Sequence, residues 1–259
     1  MKILSSAWKL IRKMTASLWA WYKSIYKGRP WYVKTISVLG TLVVLFMLYL
    51  GAVDLNLFWL FGKSPGWSDI KEHRTAQASE LYSADGVLLG KYFNENRIPV
   101  EYKDVAPVFW QALISTEDER FYKHWGVDPL GLVGAAKDAA TGRGGRGAST
   151  ITQQLAKNMF RVRTQYSTGL VGKIPGVKIL IMKTKEWITA LKLELYFAST
   201  KGRKEGKNEI LVQYANTVDF GHNAFGIKIA SKTYFNTTPN KLTADQAAVL
   251  VGMLKATTF

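Results

Sequence analysis

Three successive carboxylates, Glu117, Asp118 and Glu119, stand in the stretch STEDERFYKHWGVDP of a chain whose formal net charge is +16. A carboxylate that is to take up a proton near neutral pH needs surroundings that disfavour its charge. If residues 105–119 are helical, Phe109, Leu113 and Glu117 fall at i, i+4 and i+8, and Phe121 extends the row if the turn persists. Glu117 then leaves from the apolar stripe, while Asp118 and Glu119 point elsewhere. It is the candidate general base. The competing reading is a carboxylate that ends a helix or pairs with Arg120; the helix dipole disfavours a glutamate at a C-terminus, which tips the balance toward function. His124 is one of three widely spread histidines, with His73 and His222, and no metal-ligand spacing links them, so a structural hydrogen bond is expected of it.

A second constellation is GASTITQQLAKN, Gly147 to Asn158. Thr150 and Gln153 have the spacing of a capping box, so a helix starts here, and its free N–H groups suit an anion that the preceding glycines allow to come close. Lys157 follows about two turns into the helix. Between Met159 and Lys185 lie six bases (Arg161, Arg163, Lys173, Lys178, Lys183 and Lys185) and no acid, interleaved with apolar residues and glycines. Such a segment fits a flap at a membrane interface, with cations for phosphate. Glu186 is the first acid after it; on a helix it stands at i+3 from Lys183, with Trp187, Ile188, Leu191 and Leu195 around it, which points to a buried Lys–Glu pair.

The elements that must position these groups follow from the remaining pattern. Residues 1–34 hold eight bases and no acid, and the other residues still carry +8, so an anionic partner is implied. Cysteine is absent, which excludes disulfides and thiol-ligated metal. Residues 35–53 contain no charge in 19 positions, enough at about 1.5 Å per residue to cover roughly 30 Å of hydrocarbon. An uncleaved anchor is expected, with the basic leader on the cytoplasmic side. The leader's Ile11, Met14, Leu18, Trp21 and Ile25 form one helical face suited to lie on the inner leaflet. After the anchor, SELYSADGVLLGKYF reads as a hairpin turning at Asp85-Gly86. From Val105 onward the pattern is mainly helical, with helices expected at 105–119, 150–158, 183–199, 207–215 and 243–256. Thr243 and Gln246 form another capping box, with Leu242 placed to staple against Ala247. The organisation expected is a leader (1–34), an anchor (35–54), a linker with hairpin (55–100) and a catalytic domain (101–259).

In order along the chain, EDERFYKHWG resembles the E-D-x-x-F-x-x-H-x-G motif of peptidoglycan glycosyltransferases, the domains of class A penicillin-binding proteins and of their monofunctional relatives. GASTITQQ resembles their G-x-S-T-x-T-Q-Q, KTKE the end of their R-K-x-x-E, and KNEILVQYAN their K-x-x-I-x-x-x-Y-x-N. The ordered set covers about residues 80–259. The resemblance implies a mainly α, lysozyme-like lobe with a small membrane-associated jaw and a short β-hairpin, behind one transmembrane helix in the bacterial cytoplasmic membrane. It implies polymerisation of lipid II into glycan strands with inversion and release of polyprenyl diphosphate. Carried onto this sequence, Glu117 is the general base. Lys157 and Lys183 hold the departing diphosphate and Glu186 supports that site, while Ser149, Thr150, Gln153 and Gln154 line the cleft. Asp118, Phe121, His124, Gly126, Tyr214 and Asn216 are structural, the last two on the cleft floor.

No tightly bound cofactor is expected, and a divalent cation such as Mg2+ is allowed for. Partners implied are lipid II, the growing glycan strand, membrane lipids and cell-wall or division proteins, with no nucleic acid. Met182 stands where the family has arginine, so Arg161 or Arg163 is expected to supply that contact. The stretch between the second and third motifs is longer than the family's short forms. The chain stops before the family's last arginine-bearing motif, which suggests part of a longer bifunctional protein. The rival readings are a lysozyme-like enzyme that cleaves glycan and a non-catalytic membrane scaffold that binds lipid II.

Overall fold

The computed structural model describes residues 2–72, 79–85, 88–92, 98–142, 147 and 149–256. Two compact units are present, Met1–Ala52 and Val53–Phe259. The first consists of helix α1 (Lys2–Tyr26) and most of α2 (Trp31–Asp54), separated at Gly28 and Pro30. Proline cannot donate the hydrogen bond that an uninterrupted helix would need there, and it is tolerated at a helix start. α2 is long and apolar enough to cross a membrane, by length and composition. The leader is helical as its spacing predicts; of its apolar face, the side chains of Ile11, Leu18 and Ile25 lie outside the described residues.

The second unit is mainly α. Its described strands, β1 (Ser79–Tyr82) and β2 (Leu88–Tyr92), pair antiparallel with Ser79 opposite Tyr92 and a bulge at Leu81/Tyr82. Gly86 of the expected turn lies outside the described residues, as does His73. The helices after α3 (Trp67–Glu72) are α4 (Pro107–Glu117), α5 (Pro129–Ala140), α6 (Ile151–Met159), α7 (Val177–Lys201), α8 (Arg203–Thr217), α9 (Ile227–Phe235) and α10 (Ala244–Ala256). α6 packs against both α7 and α8, which pack against each other, and α10 packs against α4. The core at these crossings holds Phe109, Leu113, Ile151, Leu155, Ile210 and Leu250, all fully buried. Each such side chain contributes about 1.5–3 kcal/mol by leaving water.

Three local expectations are corrected. The apolar row of α4 does not run on to Phe121: Asp118 leaves helical geometry (φ −161°, ψ 71°), and Phe121 reaches the core from a separate short turn, Phe121–Lys123. α5 and α9 fall outside the expected helices: α5 contains two glycines and buries no residue, and α9 follows Gly226 with no side-chain cap to mark its start. α7 starts at Val177, six residues before the expected start, so the basic stretch 159–185 divides into the end of α6, a loop and the opening turns of α7. At α10 the capping box forms in both directions, Gln246 N–H to Thr243 Oγ1 at 3.4 Å and Thr243 N–H to Gln246 Oε1 at 3.1 Å.

Candidate active site

The last turn of α4 delivers Glu117 and Asp118, which have separate tasks. Asp118 is buried and turned inward: its carboxylate meets His124 Nε2 at 2.9 and 3.1 Å, and Oδ2 accepts the Ile151 N–H at 3.1 Å. A carboxylate at this first turn of α6 also satisfies the positive end of the helix. The loop after it closes on Gly126, whose φ of 78° and position 2.9 Å (as a would-be Cβ) from the Ala190 backbone leave no room for a side chain. The Gly126 carbonyl accepts from Thr150 Oγ1 at 2.6 Å and Gln153 Nε2 at 3.2 Å. Thr150 caps α6 through the Gln153 N–H (3.2 Å), but the Gln153 amide goes to Gly126 instead of back to Thr150, so the expected capping box is formed in one direction.

Glu117 is held from one side only. Its Oε2 accepts from Gln154 Nε2 at 2.8 Å, and the Tyr214 hydroxyl donates to Gln154 Oε1 at 2.9 Å, which orients the amide. Burial, reinforced by the Glu117 charge, pushes the Tyr214 phenol up, so it remains a donor. Glu117 Oε1 is buried with no hydrogen-bond partner among the described residues. A buried oxygen in that state suits the acceptance of a proton from a ligand hydroxyl.

Facing side chains come from the loop after α6 and from α7. Glu186 is buried, with Oε1 2.7 Å from Arg163 Nε and Oε2 3.0 Å from Lys183 Nζ. Lys183 also donates to Ser149 Oγ at 2.8 Å. A cleft of about 570 Å³ is lined by Glu117, Ser149, Gln153, Gln154, Lys157 and Tyr214, together with Arg161, Arg163 and Glu186. Lys157 and Arg161 are exposed, and Arg161 has a left-handed backbone (φ 45°). Arg163 stands at Glu186, the glutamate of the motif in which Met182 replaces arginine.

Not every expected residue reaches this cleft. Asp118, His124, Gly126 and Thr150 support it from behind, and Phe121 belongs to the core. Lys183 adjoins the wall through Ser149 and Glu186. Asn216 is a correction: it exchanges two 3.0 Å hydrogen bonds with the Val100 backbone and fastens the segment before α4, whereas Tyr214 does line the cleft. The sequence reading missed Asn158, Thr164, Asp219, Phe225 and Leu254 in the lining. Asn158 and Thr164 neighbour residues already singled out, while Asp219 and Phe225 arrive through an isolated β-bridge with no sequence signal. Also missed was Glu194, which accepts from Thr152 Oγ1 and Lys207 Nζ, both at 2.7 Å. Among the described residues no group of three or more His, Asp or Glu side chains is placed to hold a metal ion.

Residues 85–259 match the family model described as Transglycosylase. The chain is 37% identical over 193 residues to penicillin-binding protein 1A of Escherichia coli, covering 74% of this chain and 20% of that protein. It is 34% identical over 220 residues to penicillin-binding protein 1A of Haemophilus influenzae (85% of this chain, 22% of that protein). For penicillin-binding protein 1A of Neisseria gonorrhoeae the identity is 32% over 207 residues (80% and 23%). The chain thus spans between a fifth and a quarter of the length of these curated relatives. The four motifs drawn together by α4, α6, α7 and α8, and a family match over most of the chain, lead to one conclusion: this chain belongs to the transglycosylase family.

Proposed function

We propose that the chain is a membrane-anchored peptidoglycan glycosyltransferase that polymerises lipid II, with inversion at the anomeric carbon and release of polyprenyl diphosphate. The observation that carries this reading is the division of one cleft between a carboxylate with an unpaired buried oxygen, Glu117 Oε1, and a cationic side made by Lys157, Arg161 and Arg163. A sugar hydroxyl is a poor nucleophile until a base takes its proton, and a departing diphosphate gathers negative charge that cations stabilise. Glu117 removes the hydroxyl proton as the oxygen attacks; the diphosphate leaves from the opposite face toward Arg163 and Lys183, and one displacement inverts the centre.

Glu186 argues against glycan cleavage through a second catalytic carboxylate, since both its oxygens are occupied by cations and its side chain is 2% exposed. Membrane anchorage is supported by α2 and by the exposed Leu170, Ile174, Ile179 and Leu180 around Lys173 and Lys178. These features also fit an extracytoplasmic catalytic unit behind a cytoplasmic basic leader.

The test is polymerisation of labelled lipid II by detergent-solubilised protein, read as chain length on a gel. Long chains are expected from the wild type, and Glu117→Gln is expected to lower the rate by about 10³-fold or more while lipid II still binds. Equal rates from the two proteins would remove Glu117 from the chemistry. Fragments released from lipid-free peptidoglycan would favour cleavage instead.

A further inference from the structure

Between Lys183 and Glu186 on α7, and outside the lining of the cleft, is a lysine that the proposed chemistry does not use. Lys185 is fully buried, and among the described residues its partners are three backbone carbonyls and no carboxylate: Gly62 O at 3.0 Å, Lys63 O at 2.6 Å and Ser167 O at 2.7 Å. An ammonium has three donors, so each is used. Burial pulls this ammonium down to about 8. A charge kept in such a place needs a structural reason.

The three carbonyls come from two segments. Gly62 and Lys63 belong to the stretch that follows α2, and Ser167 lies in the connection between α6 and α7 that also carries Arg163. The two segments are joined independently of the lysine. Val171 N–H donates to Leu60 O at 3.0 Å, and Cβ atoms at Gly62 and Gly169 would collide with the backbones of Ser167 and Leu60. Seven residues along the same face of α7, Lys192 repeats the arrangement, with Nζ 2.5 Å from Asp54 Oδ1 and 3.1 Å from Pro65 O. Two buried lysines therefore strap residues 54–65 to α7, and the one nearer the cleft also holds the Arg163 loop.

We propose that Lys185 is a positioning residue: by fastening residues 62–63 and Ser167 to α7, it keeps the loop of Arg163 within reach of Glu186. The inference rests on the proposed function only in that the placed cation then serves a diphosphate. Lys185→Met keeps the length and removes the donors. Gly62→Ala disturbs the same seam from its other side, at a carbonyl that Lys185 holds, while the lysine keeps all its donors.

In the full chain in detergent, hydrogen exchange at the Val171 amide is expected to speed up at least about tenfold in either variant, with the Ala230 amide of α9 unchanged. Polymerisation is expected to slow about tenfold, and Arg163→Ala, costly in the wild type, should cost less than about twofold more in the Lys185→Met background. Lys157→Ala, on α6, should keep its full cost in both backgrounds. A protected Val171 amide would overturn the proposal, as would effects of Lys185→Met and Arg163→Ala that multiply. If the wild type makes no polymer, the proposed function fails by itself; the same mutant cycle, read as binding of a polyprenyl diphosphate in micelles, then decides the positioning.

Discussion

α7 carries two buried glutamates eight residues apart, Glu186 and Glu194, each paired with a lysine, and the two pairs differ in what surrounds the cations. At Glu194 everything is closed: Lys207 is 2% exposed, lies 4.3 Å from the centre of the Phe121 ring, and shares its acceptor with Thr152. At Glu186 the carboxylate is as buried, but Lys183 is 26% exposed and Arg163 50%. A closed pair spends its charge on its partner, and its role is to specify how α6, α7 and α8 meet. An open pair holds cations by a buried carboxylate while leaving part of each charge for a ligand. Burial lowers Lys207 despite the Glu194 charge, which marks the closed pair as one in which desolvation outweighs attraction.

The largest effect that would break this comparison is on stability. Lys207→Ala leaves Glu194 buried without its cation and is expected to destabilise the second unit by about 3–5 kcal/mol in denaturant titration. Lys183→Ala leaves Glu186 with Arg163 beside solvent and should cost under about 1 kcal/mol. Equal losses would mean that the two pairs are the same kind of strut. Next in size, Lys183→Met should slow lipid II polymerisation by about 10²-fold, or roughly 2.7 kcal/mol in the transition state, with little change in melting temperature. An unaltered rate would reduce Glu186 and Lys183 to scaffolding.

The smallest effect concerns a third, half-exposed pair, in which Asp128 accepts from Arg120 Nη2 at 2.6 Å and caps α5 through the Leu130 N–H. Burial acts to raise this carboxyl, but Arg120 and the Gly131 backbone N–H prevail and hold it below its ordinary 3.8. A folded-state value below the unfolded one gives stability that is full above about pH 4 and is lost as pH falls through the folded value. Asp128→Asn should therefore be less stable than wild type by under about 1 kcal/mol at pH 6, with the gap closing as pH falls through the folded value. A gap independent of pH would assign the effect to packing.

Local signals in the sequence were dependable where they were dense. The capped starts of α6 and α10, and the runs that became α4 and α8, were placed within four residues of their observed ends. Where they are thin, the reading weakens: α5 has no buried stripe to reveal its period, and the start of α7 at Val177 does not stand out from the basic, glycine-interrupted stretch that leads into it. Glu117 was singled out from the spacing of an apolar row, yet Asp118 proved the more buried of the two, since the helix ends between them and the chain turns inward.

By itself the sequence determined the order and spacing of the groups: which residues share a helix face, where α6 begins, and that a basic, acid-free stretch follows it. These are properties of adjacent residues and obey the helical repeat. Only the tertiary structure decided which oxygen of Glu117 is held and which is left over, that Glu186 is shared by Arg163 and Lys183, and that Lys185 is surrounded by carbonyls. Gln154 meets Glu117 across 37 residues, and Lys185 meets Gly62 across 123. Hydrogen bonds over such separations depend on where helices cross, and the crossings are set by the packing of many side chains at once, which no local pattern records.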